Sequence, residues 1–174
     1  MKNLFRRLSR KLRLGGGTGT EPPADDATMG GATRFTHLAA SATQVHDEGL
    51  QEFLADRINT LHTLAAEPEQ WVLPTVDFLD ELKALEDYPA GDMAILAELA
   101  AGIQALLAEA GAELLTPPQW DPTLQRAIKV NYVLPCPATP VVVNTFATGV
   151  KLGGRLLRKQ EVELNMPSSS SSYH

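Results

Sequence analysis

The side chains that most often carry catalysis or hold metals are few in this chain of 174 residues. They comprise four histidines and one cysteine: His37, His46, His62, His174 and Cys136. No two of the histidines stand four residues apart with a glutamate between them, which is the pattern of a helical zinc site. The cysteine has no histidine or cation beside it in sequence to activate its thiol. The sequence therefore predicts no metal, no cofactor and no catalytic centre.

Two short motifs resemble catalytic or phosphate-binding sequences without completing them. His46, Asp47 and Glu48 supply a base and two carboxylates, but adjacent residues of a helix point in different directions. The glycine-rich run at 15–20 lacks both the Gly-Lys-Ser/Thr ending and the preceding strand of a phosphate-binding loop. We interpret the first motif as exposed helical residues and the second as linker, and we predict that the protein is not an enzyme.

Charge is divided unevenly along the chain. Residues 1–14 contain six basic residues and no acidic one, whereas the other nine basic residues face 21 acidic ones. Residues 15–174 therefore carry a formal charge of −12, and an acidic body of this kind is a poor partner for nucleic acid. The single cysteine fits a reducing compartment, and no stretch approaches the roughly 20 apolar residues of a membrane span. We expect a cytoplasmic protein.

The first 14 residues combine an apolar face with the six cations. The apolar side chains share one side of a helix: Leu4, Phe5, Leu8 and Leu12. This pattern is typical of a membrane-surface anchor or a targeting peptide, and equally of a solvated basic tail, so weak membrane-surface contact through residues 1–14 stays open. The Gly- and Pro-containing residues 15–33 predict a disordered linker, and the serine-rich residues 167–174 predict a disordered tail.

Apolar residues recur at helical spacing in the next part of the chain. Residues 34–68 carry one narrow apolar stripe, which predicts a long helix paired along its length. Pro68 lacks the N–H that a helix needs, so we expect a kink or break between Ala66 and Trp71.

Residues 69–111 predict two further amphipathic helices. Pro89 and Gly91 separate them, Asp92 is a candidate N-cap for the second, and Gly111 suits the position just beyond its end. Taken alone, this pattern fits either a bundle shared by two copies or a helical hairpin within one chain.

Residues 112–166 predict a small β-domain. Short β-branched runs such as Val141-Val142-Val143 favour strands, and Gly153-Gly154 between apolar residues indicates a hairpin turn. A long helical region followed by a β-domain of this size gives an α+β fold. The β-domain is too small to enclose a catalytic pocket.

Three motifs follow one another in the second half of the chain. The first is Val72-Leu73-Pro74-Thr75-Val76-Asp77-Phe78-Leu79. The second runs from Trp120-Asp121-Pro122 to Ala127-Ile128. The third consists of residues at fixed spacing: Gly149, Leu152, Arg155, Leu157, Arg158, Val162 and Leu164. In this order and spacing they resemble the GrpE family, the nucleotide exchange factors of DnaK-type chaperones.

The resemblance implies a GrpE-like α+β fold and a homodimer. Its N-terminal long helix and helical bundle would pair with a second copy, through these dimer-helix residues: Leu54, Leu61, Leu79, Leu99 and Ile103. The small C-terminal β-domain would dock on the nucleotide-binding domain of a DnaK-type chaperone and hold its two lobes apart, so that ADP leaves. This activity requires preferential binding to the open state and no covalent chemistry.

The resemblance also assigns individual residues of the β-domain. The implied chaperone-binding surface contains Trp120, Pro122, Phe146, Arg155 and Leu164. Alternatively, Trp120 and Leu164 are simply core residues. The implied structural residues are Asp121, Gly149, Leu152 and Arg158.

Several positions depart from the family pattern. Gln125-Arg126 stand in place of His-Glu, Val150 in place of Tyr, and Lys159-Gln160 in place of Pro-Ala. These substitutions keep two alternatives open, a membrane-tethered chaperone adaptor and a coiled-coil scaffold, both without exchange activity.

Overall fold

The computed structural model describes four stretches of the chain: 35–64, 67–117, 119–133 and 137–166. The segments predicted at 1–14, 15–33 and 167–174 lie outside these described residues. The described part is an α+β protein in which four helices precede a β region of two small sheets.

The four helices occupy the first half of the described chain. They are α1 (Thr36–Ala42), α2 (Glu48–His62), α3 (Pro68–Lys83) and α4 (Ala90–Glu109). We call them together the helical body.

The single long helix predicted over 34–68 is not formed, because the chain turns between α1 and α2. Asp47 caps α2 by accepting the Leu50 N–H at 2.8 Å. The buried carboxylate of Asp92, from the first turn of α4, accepts the backbone N–H groups of His46 at 2.9 Å and Asp47 at 3.2 Å. These bonds satisfy the donors that the break exposes. Asp92 therefore stabilises the α1–α2 turn, and Pro89 is the N-cap of α4.

The predicted stop signals lie at helix ends. Pro68 is the first residue of α3, where its missing N–H costs no helical hydrogen bond. Gly111 follows α4 with a φ of 76°, the left-handed conformation that glycine adopts at little cost.

The helices share one apolar core within a single chain. Four of the residues expected between two copies have no exposed surface, and the fifth is 3 % exposed: Leu54, Leu79, Leu99, Ile103 and Leu61. Their side chains are the interior of an intrachain bundle, so in this structure they are not available to a second copy. The helices of the helical body thus pack against one another within one chain, which was the alternative to a bundle shared by two copies.

Helix α4 is more apolar than the sequence analysis expected. An 18-residue window of this 20-residue helix has a mean hydropathy of 1.4, so by length and composition the helix is long and apolar enough to cross a membrane. Core helices of soluble proteins pass the same test, and α4 buries five side chains, including Leu99 and Ile103, against its neighbours. Length and composition are weak evidence for a membrane span here.

Six strands follow the helices. They are β1 (Ala112–Leu115), β2 (Gln125–Tyr132), β3 (Val141–Ala147), β4 (Gly149–Leu152), β5 (Arg155–Arg158) and β6 (Gln160–Met166). Sheet A has the antiparallel order β1-β4-β5, and sheet B has the order β2-β6-β3, in which β2 runs parallel and β3 antiparallel to β6. We call the two sheets together the β-module.

Candidate partner-binding surface of the β-module

The chain passes between the two sheets at two single residues that lie close together. Thr148 separates β3 from β4, and Lys159 separates β5 from β6. At this sheet crossing a Cβ on Gly149 would lie 2.5 Å from the backbone N of Gln160 and 2.8 Å from Leu115 Cδ1. Contacts this short are repulsive, so the crossing requires glycine. This close approach supports the structural role expected for Gly149.

A chain of hydrogen bonds crosses the interior of sheet B. The Asp121 N–H donates to Gln125 Oε1 at 2.8 Å, Gln125 Nε2 donates to Gln160 Oε1 at 2.7 Å, and Gln160 Nε2 donates to Thr145 Oγ1 at 3.1 Å. Gln125 is 2 % exposed and Gln160 9 % exposed, and the cost of burying these amides is offset because they bond to each other.

Asp121 holds the turn that leads into β2. Its Oδ1 accepts the Thr123 hydroxyl at 2.6 Å and the Thr123 N–H at 2.8 Å, and its carbonyl accepts the Gln125 N–H at 2.8 Å. The hydrogen bond from the Thr123 hydroxyl favours the charged carboxylate and lowers the pKa of Asp121. Lys159 Nζ donates to the carbonyl of exposed Pro122 at 2.7 Å, which ties the turn to the sheet crossing.

The other two predicted structural residues connect the β-module with the helical body. Leu152 is half-buried and packs against the helical core. Arg158 forms ion pairs with Asp77 and Asp80 of α3.

The predicted contact residues divide into exposed and buried ones. Arg155 and Pro122 are exposed, and Phe146 is 46 % exposed at an irregularity of β3. Trp120 is half-buried. Leu164 is 1 % exposed, so it packs inside the β-module, as the core alternative had it, and does not present its side chain to a partner.

The strand register brings some of these side chains near one another. Pro122 lies three residues before β2 and Phe146 lies near the end of β3, and these two strands flank the start of β6. Arg155 begins β5, so it lies about 10 Å from Arg158 and the sheet crossing. The structure thus groups Phe146 with Pro122 and places Arg155 at the far end of a neighbouring strand.

Exposed apolar side chains on sheet B were not predicted from the sequence. Besides Phe146, five large apolar side chains of β2 and β3 are between 44 % and 74 % exposed: Ile128, Val130, Tyr132, Val141 and Val143. The register places Val130 beside Leu164 and Val141 beside Asn165, so these side chains are divided between the two faces of the sheet. The Val141-Val142-Val143 run, which lacks polar alternation, was the signal for their exposure.

Charged side chains of sheet B are paired across its strands. Arg126 pairs with Glu161, and Lys129 Nζ lies 2.7 Å from Glu163 Oε1. The hydrogen bond from Lys129 favours the charged carboxylate and lowers the pKa of Glu163. In contrast, no intramolecular ion pair involves Arg155 of sheet A among the described residues.

Two small clefts of the described residues lie in the helical body. One of about 130 Å³ separates α1 from α2, and one of about 210 Å³ separates α2 from α3. The second contains the Arg57–Glu81 pair at 2.5 Å, where burial raises the pKa of Glu81 against the opposing effect of Arg57. Both are smaller than the roughly 300 Å³ at which small-molecule pockets begin. Within the described stretches no three His, Cys, Asp or Glu side chains are placed to hold a metal.

Comparison with protein-family models and with curated proteins gives no match for this chain. The candidate site therefore rests on the residues that the resemblance implies and on their exposure in the structure. It consists of the exposed residues Pro122, Phe146 and Arg155 and the apolar outer strands β2 and β3. These residues lie on a small module whose buried polar groups are bonded to one another.

Proposed function

We propose that the protein is a homodimeric nucleotide exchange factor, which accelerates ADP release from a DnaK-type chaperone by holding open its nucleotide-binding domain with the β-module. The observation that carries this proposal is that two residues departing from the GrpE pattern contact each other, since Gln125 bonds to Gln160 at 2.7 Å. A third departing residue, Arg126, pairs with Glu161 at a position that the pattern leaves variable. Replacements that compensate each other keep a fold while changing its side-chain chemistry.

The position of the exposed residues supports the same function. Phe146 offers an aromatic anchor and Arg155 a guanidinium with five donors, and both residue types are common at the energetic centres of interfaces. No proton transfer is needed, because a factor that binds the open state more tightly shifts the chaperone toward it. By linkage, bound nucleotide weakens the factor's binding by the same ratio.

In the proposed homodimer the interface would use helix surfaces that are exposed in one chain. The exposed side of α4 offers alanines along its length: Ala94, Ala97, Ala101, Ala105 and Ala108. Small side chains allow two helices to approach closely. A molecular mass near twice 18.8 kDa by light scattering would support the dimer, and a mass near 18.8 kDa at micromolar concentration would reject it.

The experiment is release of a fluorescent ADP analogue from a DnaK-type chaperone with and without this protein. We expect the rate to rise about ten-fold or more at saturation, within the usual range of coupling between two ligands. Tight binding without acceleration would support an adaptor instead, and absence of both binding and acceleration would reject the chaperone partner.

Arg155→Ala tests the surface within the same assay. Removing one hot-spot guanidinium should raise the half-saturating concentration about ten-fold or more, with the maximal rate largely retained. Lys83→Ala is the matched control, since Lys83 is an exposed cation at the end of α3. Equal half-saturating concentrations for wild type and Arg155→Ala would remove Arg155 from the surface without rejecting the function.

A further inference from the structure

Thr148 at the sheet crossing is held by a carboxylate of the helical body. Asp80 Oδ2 accepts the Thr148 N–H at 2.8 Å, and Asp80 Oδ1 accepts the Thr148 hydroxyl at 2.5 Å. Arg158 completes the arrangement, because its Nε donates to the Thr148 carbonyl at 2.9 Å and its Nη2 to Asp80 Oδ2 at 3.2 Å. Its Nη1 bonds to Asp77. All the backbone and side-chain polar groups of Thr148 are thereby engaged.

The two sheets differ in how they are attached to the helical body. Sheet A continues directly from α4 through Gly111, and its residues Val150, Leu152 and Leu157 pack on the helical core. Among the described residues, that core contains no side chain of β2, β3 or β6. Sheet B is therefore joined to the rest of the molecule mainly at the sheet crossing.

Charge-assisted hydrogen bonds at the sheet crossing resist rotation of sheet B relative to the helical body. Thr148 is 8 % exposed, and it lies one residue beyond the strand that carries Phe146. Bonds that involve an ionised group are shorter and about twice as strong as neutral ones, and partial burial protects them from competition with water. A rotation of sheet B about the crossing would have to break several of these bonds at once.

We infer that Asp80, Thr148 and Arg158 form a brace that fixes the orientation of sheet B against the helical body, and that Asp80 and Arg158 are positioning residues for nucleotide exchange. The inference rests on the proposed function. A rigid module distinguishes the open from the closed chaperone, whereas a module that swivels binds both states nearly equally. A ligand with equal affinity for two states shifts neither. Loss of the brace should therefore reduce the acceleration of ADP release and leave the affinity of this protein for the chaperone largely unchanged.

The test compares Asp80→Asn with wild type in the ADP-release titration. Asp80→Asn keeps the side-chain shape but removes the charge that Arg158 and Thr148 share. We expect the maximal rate to fall about five-fold or more and the half-saturating concentration to change less than about two-fold, the reverse of the result for Arg155→Ala. Asp56→Asn, the same replacement at an exposed position of α2, is the control. An unchanged maximal rate in Asp80→Asn would overturn the inference.

Thr148→Val provides a second variant with little risk to folding. It removes the hydroxyl donor and retains both the N–H and the approximate volume of the side chain. We expect a smaller fall in maximal rate, about two-fold, again without loss of affinity. A weaker affinity with the maximal rate unchanged would assign Thr148 to the binding surface and overturn its place in the brace.

Hydrogen exchange separates failure of the brace from failure of the proposed function. In Asp80→Asn, amides of β3 and β6 should exchange several-fold faster, whereas those of α2 and α4 should keep their wild-type rates. Uniform acceleration across the helices would mean that Asp80 contributes only to global stability and would overturn the brace. If wild type fails to accelerate ADP release, the proposed function is rejected, and the exchange pattern still decides whether sheet B is braced.

Discussion

The helical body and sheet B differ in what they bury and what they expose. In the helical body Leu54, Leu79 and Leu99 have no exposed surface. In sheet B buried Gln125 and Gln160 bond to each other, whereas Tyr132 is 74 % exposed. Apolar groups stabilise a fold when they are buried, and they favour association when they are exposed. The helical body therefore contains most of the buried apolar core, and sheet B contains most of the exposed large apolar side chains among the described residues.

The largest effect should come from the helical core. Leu99→Ala removes a fully buried side chain of α4, and we expect a loss of about 2–5 kcal/mol in the free energy of unfolding. Urea unfolding followed by far-ultraviolet circular dichroism measures it. Glu109→Gln, at the exposed end of the same helix, should change the free energy of unfolding by less than about 0.5 kcal/mol. Similar losses in the two variants would contradict the single core.

A smaller loss of stability should follow from a substitution at the sheet crossing, and it should affect the β-module more than the helical body. Gly149→Ala forces a Cβ against Gln160, and we expect a cost of about 1–3 kcal/mol. In a Trp71→Phe background, Trp120 reports on the β-module alone. Its fluorescence should change at a lower urea concentration than the helical signal does.

Gly91→Ala is the matched control for that variant. A Cβ at Gly91, in the first turn of α4, meets nothing within 4 Å. Its replacement should be neutral or slightly stabilising, because alanine favours the helix more than glycine does. If Gly149→Ala were equally neutral, the close approach at the crossing would not constrain the module.

The smallest effect should depend on pH. Hydrogen bonds from the backbone of His46, and then of Asp47, hold the pKa of Asp92 below its ordinary 3.8. A carboxylate with a lowered pKa stabilises the fold fully above its unfolded pKa, and this contribution is lost as the pH falls through the folded pKa. Asp92→Asn should therefore lower the Tm by a few degrees at pH 7. The difference in Tm between wild type and variant should close below pH 3.8. A difference in Tm that is independent of pH would contradict this role of the Asp92 carboxylate.

The hairpin turn could be predicted from its own residues. The break between α1 and α2 could not, because it depends on a contact with a residue far away in the sequence. Gly153 and Gly154 have φ values of 55° and 81°, as the hairpin prediction required. The break between α1 and α2 was missed, because the apolar stripe continues through it and the carboxylate that stabilises it, Asp92, lies 46 residues beyond His46. No periodicity within a short window carries that information.

The candidate surface was predictable only in part for a similar reason. Phe146 and Arg155 are exposed as expected, but Leu164 is buried. Alternation along β6 distinguishes two faces of a strand without saying which face is covered. That depends on where β2 and β3 lie, and the parallel pairing of β2 with β6 spans 35 residues between Gln125 and Gln160.

The order of strands in sheet B also determines when its strands can pair during synthesis. Its central strand, β6, is translated after both of its neighbours. At about 5–20 residues per second, the ribosome needs about 2–7 s to progress from Gln125 to Gln160. Until β6 is present, β2 and β3 lack the strand that joins them and cannot form sheet B. Sheet B thus assembles only after all three of its strands have been made, and the unpaired edges of β2 and β3 favour aggregation before that step.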